Sequence, residues 1–231
     1  MVVVLPQPPL LVPELATGAT AETADLRAAC RAAAARLGAA VSTWVAVGAD
    51  AGGRRTVSAD TRGSFVGFGA DVVVGLAPDA DGPVDADLPL PLLVAGWAAT
   101  GTGARIRGEL VAPDATTDAC AALGAELAEE PVGLLVVGDG AAMHTAKAPG
   151  HLDERSGPFD DAVAAALRDA DPAGLAALDP ELARELWAIG RAPWQVLAGA
   201  AAGRAWTGEL LYTGAPFGVG YHVAVWVPCP D

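Results

Sequence analysis

The chain has 231 residues, of which 52% are hydrophobic, and its formal net charge is −14 at pH 7. Its apolar runs are all shorter than the ~18 residues that a membrane-spanning helix needs, so we expect no membrane partner. The strong negative charge also argues against a nucleic-acid partner, which would require a basic patch. The first residues turn directly into a proline-rich loop and do not form a secretory leader, so we expect a cytoplasmic protein.

Short apolar strands alternate with helical patterns over the first 137 residues. We predict five strands here, at Val2–Leu5, Val41–Val47, Asp71–Leu76, Arg107–Val111 and Gly133–Val137. We predict three helices between them, at Ala21–Leu37, Leu90–Ala99 and Thr116–Glu129. The glycine-rich stretch 48–69 and the Pro/Asp/Gly stretch 77–91 are expected to be irregular.

The last third of the chain breaks this alternation. It contains three successive helical patterns and then two apolar strands: Phe159–Arg168, Pro180–Ile189, Pro193–Gly203, Glu209–Tyr212 and Tyr221–Val227. No linker divides the chain into two parts. The pattern therefore predicts a single α/β domain over residues 1–231, with a central mainly parallel or mixed sheet and helices on both faces.

Polar residues follow several of the predicted strands, where open α/β folds place their chemistry. Gln7 lies among prolines after the first strand, Asp50 follows the second, and Asp139 and His144 follow the buried strand Gly133–Val137. Gln195 lies at the start of a predicted helix. We expect these five side chains to surround one concave site.

The chain has three histidines, so each histidine-based mechanism can be considered in turn. His144 is either an acid or base in the loop after a buried strand or a loop histidine hydrogen-bonded to nearby backbone. His151 is predicted to lie on the surface. His222 is predicted to have a structural role inside the last strand, on the face opposite Tyr221 and Val223.

No local metal-binding pattern is present. HExxH, CxxC and HxH are absent, and the three cysteines are widely spaced, which indicates reduced thiols and no zinc site. We therefore predict no metal ligand from local spacing.

Four segments occur in a recognisable order along the chain. They are "LPQPPLLVPEL", "VVGDGAAMHT", a Phe-Asp helix start followed by Ala-Pro-Trp-Gln, and "LLYTGAPFGVGYHVAVW". In this order they resemble the catalytic-subunit (LigB-type) family of class III extradiol ring-cleavage dioxygenases. The resemblance covers most of the chain and implies one α/β domain around a central sheet.

The resemblance also implies a site. Active members hold a non-haem Fe(II) with two histidines and a glutamate, which leaves positions open for a catecholic substrate and O₂. The matching positions here hold Gln7, Asp50 and the pair Trp194 and Gln195. His144 matches the family histidine that exchanges a proton with the substrate hydroxyl.

We therefore expect an extradiol dioxygenase-like protein without the Fe(II) site and without a cofactor. It would retain a pocket for a small aromatic ligand, with His144 as its catalytic residue and Asp139 and Tyr221 in its lining.

Two alternatives remain open. One is an active non-haem Fe(II) dioxygenase with a rearranged ligand set, either Asp50, His144 and His222 or a set that includes another acidic residue. The other is a non-catalytic partner subunit or a homo-oligomer, which would show a large apolar patch. Because His222 projects from a strand interior, we expect it not to converge with His144 and a carboxylate on one metal ion.

Overall fold

The β-branched runs form the strands of a central sheet. A computed structural model describes residues 1–16, 18 and 20–230. The strands are β1 (Val2–Leu5), β2 (Thr43–Ala49), β3 (Arg55–Val57), β4 (Arg62–Ser64), β5 (Val73–Gly75), β6 (Val84–Asp85), β7 (Arg105–Val111), β8 (Gly133–Val137), β9 (Trp206–Gly214) and β10 (Tyr221–Pro228). The α-helices are α1 (Ala24–Ala40), α2 (Leu90–Ala99), α3 (Thr117–Ala128), α4 (Ser156–Arg168), α5 (Pro172–Ala176), α6 (Pro180–Glu185) and α7 (Arg191–Ala201).

Seven strands form one mixed sheet, in the order β3-β7-β2-β8-β1-β10-β9. Its four inner strands β7, β2, β8 and β1 are parallel, and β3, β10 and β9 are added in antiparallel pairs. A small second sheet has the order β5-β4-β6. The strand predicted at Asp71–Leu76 therefore exists as β5, but it belongs to this small sheet.

The central sheet is buried on both faces because its inner strands are apolar on both sides. Val3 and Leu5 of β1 belong to the core formed with α1 and α2. Val2 and Val4 belong to the core formed with α3, α4 and α7 on the opposite face. The predicted fold class, one α/β domain with a mixed sheet and helices on both faces, is confirmed.

Some element bounds differ from the sequence-based expectation. The stretch 48–69 was expected to be irregular, but it contains the three-residue strands β3 and β4. The helix predicted at Pro180–Ile189 ends at Glu185, because Trp187 has a positive φ of 57°. In the described residues, no helix is long and apolar enough to cross a membrane.

The order of the parallel strands decides which loops meet. Leu5 pairs with Val137 at the carboxyl ends of β1 and β8, so the loops that follow these strands leave the sheet side by side. On the other side of β1, the start of β10 carries Tyr221 and His222 to the same end, because β10 runs antiparallel. Three chain segments far apart in sequence are thereby collected at one end of the sheet.

Candidate functional site

Gln7 and Asp139 meet where β1 and β8 end. The backbone N–H of Gln7 donates a hydrogen bond of 2.7 Å to Asp139 Oδ1. Both residues are buried, and Gln7 Oε1 has no hydrogen-bond partner among the described residues. The contact through the Gln7 backbone explains the position of the loop, and the side-chain amide remains an unsatisfied acceptor beside it.

The carboxyl group of Asp139 has a strongly raised pKa. Burial raises its pKa from 3.8 to about 7, and the nearby charge of Asp160 acts in the same direction, while the Gln7 N–H lowers it. Burial also raises the pKa of the Tyr221 phenol, with a further contribution from Asp139. Asp139 and Tyr221, both predicted to line a pocket, therefore interact electrostatically at this end of the sheet.

A second group of polar side chains surrounds Asp160, on the buried face of α4. His144 Nε2 lies 2.5 Å from Asp160 Oδ2, and His222 Nε2 lies 3.5 Å from Asp160 Oδ1. Thr213 Oγ1 and His222 Nδ1 are 2.9 Å apart. We call these four residues the His144 cluster. Both imidazole rings face one carboxylate, although His222 lies inside a strand, and the expectation that the two histidines do not share a metal ion stays a prediction.

Two glycines allow the backbone to approach Asp160 closely. A Cβ atom at Gly140 or Gly220 would overlap the carboxylate oxygens of Asp160. The two glycines are joined by a hydrogen bond of 2.7 Å from Gly140 N to Gly220 O, and Ala141 N donates to Asp160 Oδ1 at 3.1 Å. Side chains at either position would displace the carboxylate from the histidines.

The His144 cluster lines a cleft of about 310 Å³, here called the His144 cleft, together with Gly157, Asp161, Gly214, Ala215 and Gly220. The side chain of His144 is 19% exposed, whereas those of Asp160 and His222 are 8% and 2% exposed. His144 is thus the ionisable member of the cluster most open to a molecule in the cleft.

Asp50 is turned away from these groups. Its backbone N–H donates to Val111 O at 2.9 Å, so the chain leaves β2 towards β7, on the side opposite β8. Its Oδ2 accepts from Gly52 N at 3.0 Å and lies 3.4 Å from Arg55 Nη2. The prediction that Asp50 shares a site with Gln7 and His144 is corrected: its carboxylate closes a turn and pairs with an edge-strand arginine.

Gln195 also has a different role from the one predicted. Its Nε2 donates to Leu178 O at 2.9 Å and to Ala176 O at 3.2 Å, and its Oε1 accepts from Arg191 Nη1 at 3.1 Å. The amide therefore joins α7 to the last residue of α5 and to the segment that follows it. The expectation of Gln195 in a shared concave site is corrected for this reason.

Trp194 is buried and lies next to the His144 cluster. Its ring centroid is 6.0 Å from that of His222, with an interplanar angle of 64°, and within the part of the chain that the structure describes its indole Nε1 has no hydrogen-bond partner. It packs against the cluster from α7. Of the predicted residues, the structure thus brings Gln7 to Asp139 and Trp194 to the His144 cluster.

Asp160 and Thr213 were not predicted from the sequence. Asp160 lies on the apolar stripe of α4 with Val163, Ala164 and Leu167, at the i, i+3, i+4 and i+7 spacing of one helix face. A charged residue on an apolar helix face was the feature of the sequence that could have pointed to Asp160. Thr213 on β9 offered none, because its role depends on the pairing of β9 with β10.

Among the described residues, no group of three or more His, Cys, Asp or Glu side chains is arranged to hold a metal ion. In the structure, the His144 ring and Asp160 are already hydrogen-bonded to each other.

No protein-family model matches the chain, and no curated protein matches it in sequence. Among solved structures, the chain is similar to an uncharacterized protein, JW3007, from Escherichia coli K12. The identity is 14%, the TM-score is 0.55, and the match covers 98% of each chain. At this identity the likeness bears on the fold alone.

Proposed function

We propose that this chain is a metal-independent relative of the class III extradiol dioxygenases and binds a small hydroxylated aromatic molecule in the His144 cleft. One observation carries the proposal: the imidazole of His144 lines the cleft and lies within hydrogen-bond distance of the buried Asp160 carboxylate. A buried carboxylate beside an imidazole orients the ring and stabilises its protonated form.

The proposed role of His144 is proton exchange with a ligand hydroxyl. If Nε2–H donates to Asp160, the lone pair of the neutral ring lies on Nδ1, where it accepts a proton from the hydroxyl. Asp160 then stabilises the imidazolium. His222 is fixed through Nδ1 by Thr213, and its Nε2 lies 3.5 Å from the other oxygen of the same carboxylate, with no hydrogen bond to any described residue.

The cleft volume supports a small ligand. About 310 Å³ lies at the lower end of the usual range for small-molecule sites, which is about 300–1,000 Å³. A single aromatic ring with hydroxyl groups is of suitable size. The choice of a catechol-like ligand follows from the resemblance and from the acid–base character of His144.

The residues at the family's ligand positions do not fit Fe(II). Asp50 is held by Gly52 and Arg55, the amide of Gln195 is used by backbone carbonyls and Arg191, and Trp194 offers an indole. An amide oxygen is a poor substitute for imidazole at such a centre, and an indole N–H is no ligand. We therefore derive no step through iron.

The test is calorimetric titration with catechol under anaerobic conditions, on the wild type and on a matched pair of variants. His144→Asn is expected to weaken catechol binding about tenfold or more, because it removes a charge-assisted hydrogen bond. His151→Asn, in the same loop but exposed, should leave it unchanged. Equal loss in both variants would contradict the role of His144.

The opposing outcomes are distinct. Stoichiometric Fe(II) binding with oxygen uptake on catechol, both lost in His144→Ala, would overturn metal independence and favour an iron enzyme with a rearranged ligand set. Absence of both catechol and Fe(II) binding would overturn the pocket itself and favour the partner-subunit alternative.

A further inference from the structure

A larger cleft lies away from the His144 cluster, at the carboxyl end of β7. It has a volume of about 520 Å³ and lies between the segment after β7, with Pro113 and Asp114, and the corner between α6 and α7. Its walls are mainly apolar and include Pro180, Ala183 and Ile189. We call it the Trp187 cleft. Its size suits a small organic molecule.

Trp187 has an unusual backbone conformation. It follows Leu186, the C-cap of α6, and its φ of 57° is in the left-handed region. Trp187 N donates to Arg184 O at 3.3 Å and Ala188 N donates to Ala183 O at 2.8 Å, which is the Schellman pattern. Glycine is the usual residue at this position because a Cβ atom is unfavourable there.

Trp187 is also unusually exposed. The chain has six tryptophans, and Trp187 is 52% exposed, whereas Trp44, Trp97, Trp194 and Trp226 are buried. A bulky aromatic residue therefore occupies a glycine position and places its indole in a cleft instead of in a core. Strained, exposed residues of this kind concentrate at functional sites.

The lining of the Trp187 cleft carries more negative than positive charge, with three carboxylates, Asp114, Asp179 and Glu181, against two arginines. Within the described ranges Asp114 makes no hydrogen bond or ion pair, although its charge interacts with that of Arg191, and one oxygen of Asp179 caps Glu181 N. Of the two arginines in the lining, Arg184 is paired with Glu181. Arg191 is buried, and its terminal nitrogens donate to Pro113 O, Ala115 O and Gln195.

We propose that the Trp187 cleft binds a small organic cation with an apolar or aromatic body. The cation would lie over the face of Trp187, which attracts positive charge through its quadrupole, and beside the carboxylates of Asp114 and Asp179. The apolar walls would cover the rest of the ligand. This inference is independent of the function proposed for the His144 cleft.

Three matched aromatic probes test the charge preference. Benzyltrimethylammonium, benzyl alcohol and phenylacetate are titrated into the wild type by calorimetry at low salt. Saturable binding of the cation, weakened by added salt and exceeding that of the other two probes, is expected. Phenylacetate binding as tightly as the cation, or no saturable binding of the cation at millimolar concentration, would overturn the proposal.

Trp187→Gly separates binding from folding. The affinity of this variant for the cation should fall at least tenfold. Its melting temperature should stay equal or rise, because glycine suits the left-handed position. Asp114→Asn should lower the affinity for the cation by a smaller factor. Phe68→Ala and Asp81→Asn are the controls, because they remove an aromatic ring and a carboxylate outside the cleft lining. Both variants should bind the cation with unchanged affinity.

Two further results bear on the proposal. Cation affinity unchanged in His144→Asn is expected, and this separates the two clefts. Cation affinity retained in Trp187→Gly would overturn the site. A concentration-dependent dimer that dissociates in Trp187→Gly would also overturn it, since a second copy of the chain would then cover the cleft.

Discussion

Asp160 shows how much depends on one buried carboxylate. It accepts a hydrogen bond from Ala141 N and lies beside the rings of His144 and His222. Replacement by alanine removes the acceptor and leaves the backbone N–H of Ala141 without its partner. An unsatisfied buried polar group costs about 1–3 kcal/mol, and the lost packing adds to this.

We therefore expect Asp160→Ala to lower the free energy of unfolding by about 2–4 kcal/mol. The neighbouring Asp161 is exposed, and Asp161→Ala should cost less than about 0.5 kcal/mol. Urea unfolding of the two variants measures the difference. Equal stability in the pair would show that the carboxylate of Asp160 is not important for the fold.

Asp139 makes stability depend on pH. Its pKa of about 7 in the folded state exceeds the unfolded value of 3.8, so between these pH values the folded state binds more protons. The part of the free energy of unfolding that depends on protonated Asp139 is complete below pH 4 and is lost as the pH rises towards 7. The loss is of the order of 2–4 kcal/mol.

Asp139→Asn should remove this part of the pH dependence, since an amide retains an acceptor for Gln7 N but does not titrate. The measurement is the free energy of unfolding from pH 4.5 to 7.5, with Asp81→Asn as an exposed control. A wild-type curve no steeper than that of Asp139→Asn would contradict the raised pKa.

Gln195 illustrates a residue whose role could not be inferred from its position in the chain. Its type and place at a helix start suggested a site, but its hydrogen bonds to Ala176 O and Leu178 O depend on how α5 and α7 pack. Gln195→Met should destabilise the protein by about 2–4 kcal/mol through the lost hydrogen bonds. Catechol affinity measured on the folded variant should be unchanged, and a large loss of affinity would restore Gln195 to the site.

At the scale of elements, continuous apolar runs were predictable and strands of two or three residues were not. The strand Gly133–Val137 and the helix Leu90–Ala99 have the predicted bounds, because five to ten apolar residues in a row define them. The strands β3, β4 and β6 have two or three residues each. Their pairing is decided by tertiary contacts, which local pattern does not contain.

The loop at Gly140 and the start of β10 contact each other beside Asp160, and this contact shapes the His144 cluster. Gly220→Ala should push the Asp160 carboxylate away from its partners and cost about 1–3 kcal/mol, as overpacking does. Gly157→Ala, on α4 where an added Cβ meets nothing within 4 Å, should be neutral or stabilising. Thermal unfolding of both variants checks this, and a Gly220→Ala variant as stable as wild type would contradict the tight contact.

At the scale of the whole molecule, the prediction of helices on both faces of the sheet was correct. The inner strands present apolar side chains to both faces, so each face must be covered. The strand-end rule pointed to His144, which lines the His144 cleft, whereas Gln7 and Asp139 meet at the ends of β1 and β8 outside that lining. Asp160, Thr213 and the orientation of His222 come from α4 and the β9–β10 pair. Which of these elements meets which strand end is a property of the topology.

The position of β1 between β8 and β10 also has a consequence for biosynthesis. Val2–Leu5 leaves the ribosome long before either partner strand, Gly133–Val137 or Tyr221–Pro228, has been made. A central strand that must wait for residues more than a hundred positions later raises the contact order and slows folding. The histidine that completes the His144 cluster, His222, arrives with β10, so the cluster forms only after the later of the two partner strands has been made.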